Sequence, residues 1–126
     1  MQIAHIALWS DNIDKLKDFY IKYFGGVSNQ KYINAAKGFE SYFISFKGGC
    51  SLELMKRTDI SFRPRQETLG YCHIAFKVGA QQKVIELTNI LAQDGYTVAG
   101  LPRVTGDGYF ESVILDPDGN RVEIVA

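Results

Sequence analysis

Histidine is nearly missing from this chain. Only two occur in 126 residues, His5 and His73. Cysteine is as scarce: Cys50 and Cys72 are too few for a disulfide framework and form no CxxC pair. Free thiols in an intracellular, cytoplasmic protein are the expectation. An excess of one charge is missing too, since 14 basic residues face 14 acidic ones. A balanced chain carries no electrostatic footprint for nucleic acid or an anionic membrane. No apolar run approaches the roughly 20 residues that span a bilayer. The opening "MQIAHIALWS" lacks the basic start and long apolar stretch of a signal peptide. No nucleic-acid or membrane partner is therefore expected. What the chain does have is apolar residues, 46% of the total. That excludes a disordered chain and is enough to build the core of one domain, 1–126.

Both histidines lie in a repeated phrase. "AHIAL" at 4–8 returns as "CHIAF" at 72–76, which puts His73 68 positions after His5. "FES" at 39–41 returns at 110–112, an offset of 71 between Glu40 and Glu111. "GGCSLELM" and "DGNRVEIV" each hold a glycine (Gly49, Gly119) four residues before an aliphatic-flanked glutamate (Glu53, Glu123), with an offset of 70. Halves of about 65 residues exceed the roughly 20 to 50 residues of solenoid repeats. Two copies of one supersecondary module account for the pattern.

Each copy reads as β-α-β-β-β. A short strand comes first, Gln2 to Trp9 and then Tyr71 to Val78. An amphipathic helix follows. Ile13, Leu16, Tyr20 and Tyr23 fall at helical spacing, with Ser10 or Asp11 as the expected cap and Gly25 and Gly26 as the stop. Val84, Leu87 and Leu91 repeat the spacing before Gly95. Strand segments then alternate with turn chemistry at 34–38, 47–49, 106–108 and 116–120. The polar stretch 56–70 reads as a connector between module 1 (1–55) and module 2 (71–126). The expected fold is α+β, with the two tandem modules forming a curved, barrel-like mixed sheet and the helices outside.

Strand alternation assigns the faces. Ala4, Ile6 and Leu8 make an apolar face for the helix to cover, which turns His5 and Trp9 to the other side. Cys72, Ile74, Phe76 and Val78 do the same opposite His73, so Cys72 is expected in the core. Leu52 and Leu54 bracket Glu53, and Val122 and Ile124 bracket Glu123. His5, Glu53, His73 and Glu123 thus share the face turned away from the helices. If that face is concave, two facing modules enclose a polar cavity. Two imidazoles and two carboxylates there make an N2O2 set suited to zinc, nickel, iron or copper.

These residues carry a resemblance. The whole chain is similar to the vicinal oxygen chelate superfamily, and in particular to short bacterial glyoxalase I-like proteins. The resemblance implies paired βαβββ modules around a divalent metal, nickel or zinc first, with cobalt and manganese as alternatives. It implies a histidine ligand in the first strand and a glutamate ligand in the last strand of each module: His5, Glu53, His73 and Glu123. The ending "GDGYFESVILDPDGNRVEIV" matches the family's C-terminal strand pair. The implied reaction is that of a lactoylglutathione lyase. The hemithioacetal of glutathione and methylglyoxal is isomerised through an enediolate whose two vicinal oxygens take the remaining metal positions. A carboxylate moves a proton between neighbouring carbons, Glu123 first, with Glu53 as ligand or second shuttle. The resemblance also implies a homodimer acting on a small-molecule substrate, with His5 and Glu53 of one chain meeting His73 and Glu123 of the other.

Rival chemistries use the same scaffold. Acyl-CoA epimerases of the superfamily carry glutamine at the place of Glu53, dioxygenases keep only three ligands, and non-catalytic binding members lack them. No thiol-binding set matches residue by residue. Arg57, Arg63, Arg65, Lys37 and Arg103 are candidate carboxylate partners, and equally ordinary surface charge. Asp11–Lys15 and Asp18–Lys22 read as surface pairs. "GDG" at 106–108 lacks the lysine of a phosphate loop and reads as a hairpin turn.

Overall fold

The structure, a computed structural model, describes residues 1–62 and 68–126. Two compact units divide the chain, Met1–Arg63 and Pro64–Ala126. Each contains one helix and one mixed sheet, the α+β arrangement expected of a βαβββ module.

In the first unit, β1 (His5–Trp9) leads into α1 (Ile13–Phe24). Ser10, at the end of β1, is buried, and its hydroxyl accepts from the Asn12 N–H. Asn12 is the cap: its side-chain oxygen accepts from the Lys15 N–H at 3.0 Å. That corrects the assignment to Ser10 or Asp11: the helix starts at Ile13, so Asn12 holds the cap position and its side chain reaches the third helical amide. Ile13, Leu16, Phe19 and Tyr20 recur at helical spacing and are buried. Gly25 ends the helix in the left-handed conformation, φ 66°. Gly26 follows for a different reason: a Cβ there would sit 2.4 Å from Ile44 Cγ2.

The chain then lays down β2 (Val27–Ser28), β3 (Tyr32–Asn34), a 3₁₀ turn (Ala35–Lys37), β4 (Phe39–Ser45) and β5 (Ser51–Arg57). The sheet order is β1-β5-β4-β2, with β3 also on β4. One expected strand is therefore two short ones. Asn29 interrupts it, because its side-chain oxygen accepts the Phe43 N–H in place of a backbone carbonyl. Leu52 and Leu54 of β5 and Ile44 and Tyr42 of β4 are buried, forming the core with the apolar stripe of α1.

The second unit repeats the path with β6 (His73–Lys77), α2 (Gln81–Gln93), β7 (Val98–Val104), β8 (Phe110–Leu115) and β9 (Arg121–Val125), in the order β6-β9-β8-β7. Val84, Leu91, Ile114, Val122 and Ile124 are fully buried. Thr88 joins them. Its hydroxyl donates to the Val84 carbonyl at 2.6 Å and so accepts from the Ser112 hydroxyl, also at 2.6 Å. Both first strands are shorter than expected, and β6 starts after Cys72. Cys72 is exposed rather than part of the core. "GDG" lies in the β7–β8 turn, where Gly108 N–H donates to the Thr105 carbonyl.

The "FES" repeat is out of register with the fold. In β4, Phe43 lies opposite Glu53; in β8, Val113 lies opposite Glu123. The structural offset is thus 70, not 71, and Tyr42 corresponds to Ser112, Ser41 to Glu111. One residue of slip exchanges the two faces of a strand. Glu40 therefore lies on the helix side, where it accepts from Lys31 at 3.3 Å. Glu111 lies on the face of Glu123.

Candidate metal-binding pairs

Parallel pairing sets the geometry in each unit. In the first, β1 runs beside β5 with Ala7 opposite Glu53, so His5 lies diagonally across from the carboxylate on the same face. In the second, β6 runs beside β9 with Ala75 opposite Glu123, and His73 takes the same diagonal. Nε2 of His5 is 3.6 Å from Oε2 of Glu53; Nε2 of His73 is 3.2 Å from Oε2 of Glu123. The imidazoles are 45% and 39% exposed and the carboxylates 18% and 17%. The near-identity of these values makes the two pairs equivalent in accessibility as well as in position.

The surroundings differ. The His5 ring meets Phe43 edge-on, centroids 5.4 Å apart, whereas Val113 occupies the position corresponding to Phe43. Trp9 lies on the His5 face and is 39% exposed. Four residues after His73, the corresponding position holds Lys77.

The donor set suits a divalent cation. Ligands each about 2.1 Å from one ion and at right angles lie about 3 Å apart, close to the observed separations. Among the described residues neither pair forms an ion pair with a second basic side chain, and both remain partly exposed. Among the described residues no three His, Cys, Asp or Glu side chains gather into one group. Each unit thus presents one two-donor pair.

The other candidate residues separate in the same way. Arg57 donates through Nε to Asp59 and lies over the Trp9 ring, 5.3 Å from its centroid. The guanidinium holds the Asp59 carboxyl below its ordinary range. Arg103 reaches Glu111 at 3.9 Å. Sequence reasoning missed Glu111 as a resident of the Glu123 face, because the "FES" match equated it with Glu40. The alternation of β8 read backward from "DGNRVEIV" carried the signal. Lys37 lies in the 3₁₀ turn, where its backbone N–H donates to the side-chain oxygen of the capping Asn34. Arg63 and Arg65 lie outside the described residues. Asp18 pairs with Lys17 at 3.0 Å.

The Glyoxalase/Bleomycin resistance protein/Dioxygenase superfamily profile matches residues 2–124. The chain belongs to this superfamily. No curated protein matches it in sequence. Among solved structures, a glyoxalase family protein from Enterococcus faecalis is 27% identical, with a TM-score of 0.80 over 99% of this chain and 97% of that one. The trypanothione-dependent glyoxalase I of Leishmania major is 19% identical, with a TM-score of 0.79 over 99% of this chain and 86% of that one. Glyoxalase I from Zea mays is 19% identical, with a TM-score of 0.77; this chain is covered to 98% but spans only 44% of the maize chain. At these lower identities the likeness shows the glyoxalase fold. No helix among the described residues is long and apolar enough to cross a membrane.

Proposed function

We propose that this superfamily member is a metal-dependent lyase or isomerase of the glyoxalase I type. Its first substrate class is the hemithioacetal of a thiol and a 2-oxoaldehyde, such as glutathione and methylglyoxal. The observation that carries the proposal is the pair of equivalent His–Glu diagonals. Four donors of the right kind occupy matching positions, and neither half is degraded.

His5, Glu53, His73 and Glu123 would hold one divalent cation, nickel or zinc. When bound, the cation supplies Lewis acidity toward two neighbouring substrate oxygens. The chain's own chemistry is proton transfer. The Glu123 carboxylate takes a proton from the substrate carbon bearing sulfur and oxygen and returns it to the adjacent carbon, so no net proton is consumed. Glu53, in the equivalent position, is the second candidate for that role. The two imidazoles serve as nitrogen donors. One pair supplies only two donors, so the proposed assembly is a cytoplasmic homodimer in which His5 and Glu53 of one chain meet His73 and Glu123 of the other.

An ultraviolet assay tests the reading. Protein reloaded separately with nickel, cobalt and zinc is given methylglyoxal with glutathione, trypanothione or a simpler thiol. Thioester formation with at least one pairing is expected. Stoichiometric metal without turnover under any pairing would count against the lyase.

A further inference from the structure

The first unit carries, beside its His–Glu pair, an aromatic wall that the metal reading does not use. Trp9 and Phe39 meet edge-on with centroids 6.4 Å apart, and Tyr32 tilts against Phe39 at 6.2 Å. Register puts them on one face. Trp9 lies opposite Met55, Phe39 opposite Arg57 and Tyr32 opposite Ser41, all on the side of Glu53. Trp9 and Tyr32 remain 39% and 53% exposed. Such area is costly to leave in water unless something covers it. Trp9 lies opposite Met55, two residues or roughly 6.6 Å along β5 from Glu53, and four residues or roughly 13 Å along β1 from His5.

Its charge pattern narrows the occupant. Among the described residues, the cation against the wall is Arg57, and it is engaged twice: its guanidinium lies over Trp9 and its Nε donates to Asp59. A guanidinium held that way is a lid on an aromatic ring and not a free clamp for a carboxylate. The wall therefore suits a flat, uncharged, polarisable group and disfavours an anionic peptide-like one.

Resting on the metal-site reading above, we infer that the substrate carries an aromatic or conjugated planar substituent next to its two metal-directed oxygens, seated on the Trp9–Phe39–Tyr32 wall. This makes Trp9 a specificity-determining residue rather than a catalytic one. A small aliphatic 2-oxoaldehyde adduct would then be a poor substrate beside an aryl one.

Benzohydroxamate and acetohydroxamate test this, since they share two vicinal oxygens and differ by a ring. Calorimetric titration of the full-length, metal-loaded protein should show benzohydroxamate binding about ten-fold tighter. Trp9 is the only tryptophan in the chain, so its fluorescence reports directly on ring contact. Benzohydroxamate should change it and acetohydroxamate should not. The ratio should fall to within about two-fold in Trp9→Leu and largely return in Trp9→Phe. Phe39→Leu serves if Trp9→Leu does not fold, and it keeps the reporter. A wild-type ratio near one, or a ratio unchanged by both leucine variants, overturns the inference. The metal reading fails separately, if neither hydroxamate binds better with metal than without. In that case the metal-free titration decides: a benzohydroxamate-specific change in Trp9 fluorescence supports the wall, and its absence overturns it.

Discussion

The two units share a path but not a set of surroundings. Each pairs its first and last strands in parallel and hangs a histidine and a glutamate on one diagonal. Around that diagonal the first unit places Phe43, Trp9, Phe39 and Tyr32, whereas the second places Val113, Lys77 and a Glu111–Arg103 pair. Beneath the helix the same division holds. Tyr42 reaches up from β4 and donates to Asp14 at the start of α1, at 2.8 Å. At the corresponding position Ser112 meets Thr88 in the middle of α2. The element common to both units is the one the proposed chelation needs, and packing and face chemistry differ around it.

The equivalence of the two pairs can be broken most severely at the histidines. His5→Ala and His73→Ala should each lower metal affinity by at least about 100-fold, beyond the loss typical of outer-shell partners, and abolish turnover. Elemental analysis after dialysis checks the first effect. If the pairs are shared between chains, mixing the two inactive variants and allowing exchange restores one intact site per mixed dimer, so part of the activity returns. Exchange without recovery would reject the shared arrangement.

The next test asks whether equivalent glutamates do equivalent work. Glu123→Gln should lower kcat by about 10² to 10⁴-fold while retaining metal, since an amide oxygen can ligate but cannot take a proton. Glu53→Gln should lose less. Equal losses would make the two carboxylates interchangeable.

Smaller effects belong to the cores. Leu16→Ala and Leu91→Ala empty fully buried sites in the two helices and should each cost about 2–5 kcal/mol. Denaturation followed by Trp9 fluorescence should feel Leu16→Ala directly. A comparable shift in that signal from Leu91→Ala would mean that the units unfold together. Thr88→Val strands the buried Ser112 hydroxyl and should cost about 1–3 kcal/mol; Tyr42→Phe leaves Asp14 its lysine and should cost only about 1 kcal/mol.

The smallest effect is the pH response of the α1 network. Lys31 donates to Asp14 at 2.6 Å, and Tyr42 donates to the other oxygen. The Lys31 hydrogen bond, then the Tyr42 one, hold the Asp14 carboxyl below its ordinary 3.8. A depressed carboxyl stabilises the fold above that value, and the contribution is lost as pH falls through the folded pKa. Lys31 is raised above 10.5 by Asp14, so its contribution is present below that pH and fades as pH rises through the folded value. Asp14 and Lys31 are surface groups, and about 0.5 kcal/mol is expected from the pair. Asp14→Asn should flatten the acid limb of a stability–pH curve without moving neutral-pH metal binding.

Much of this was legible in the sequence. His5 and His73 sit in one repeated phrase, and aliphatics flank Glu53 and Glu123, so alternation alone assigned their faces. Helical spacing found both helices. What stayed hidden depended on register or on a single side chain. "FES" matched letters one residue out of step, so the repeat equated Glu111 with Glu40, which lies on the other face. Asn12 outcompeted Ser10 and Asp11 because capping follows the free amide, not the nearest polar residue. Asn29 split a strand by imitating backbone. Cys72 fell outside its ladder when β6 began one residue later than the apolar pattern.

The parallel strand pairs also bear on the order of events during synthesis. Ala7 meets Glu53 46 positions downstream, and Ala75 meets Glu123 48 positions downstream. Contacts that span most of a unit close late, because the whole intervening chain must first be ordered. A nascent chain therefore carries isolated imidazoles and carboxylates but no assembled His–Glu pair until the last strand of the unit has joined its sheet. On the proposed metal-site reading, cation capture waits for that closure, which keeps a half-made chain from being locked around a cation in the wrong register.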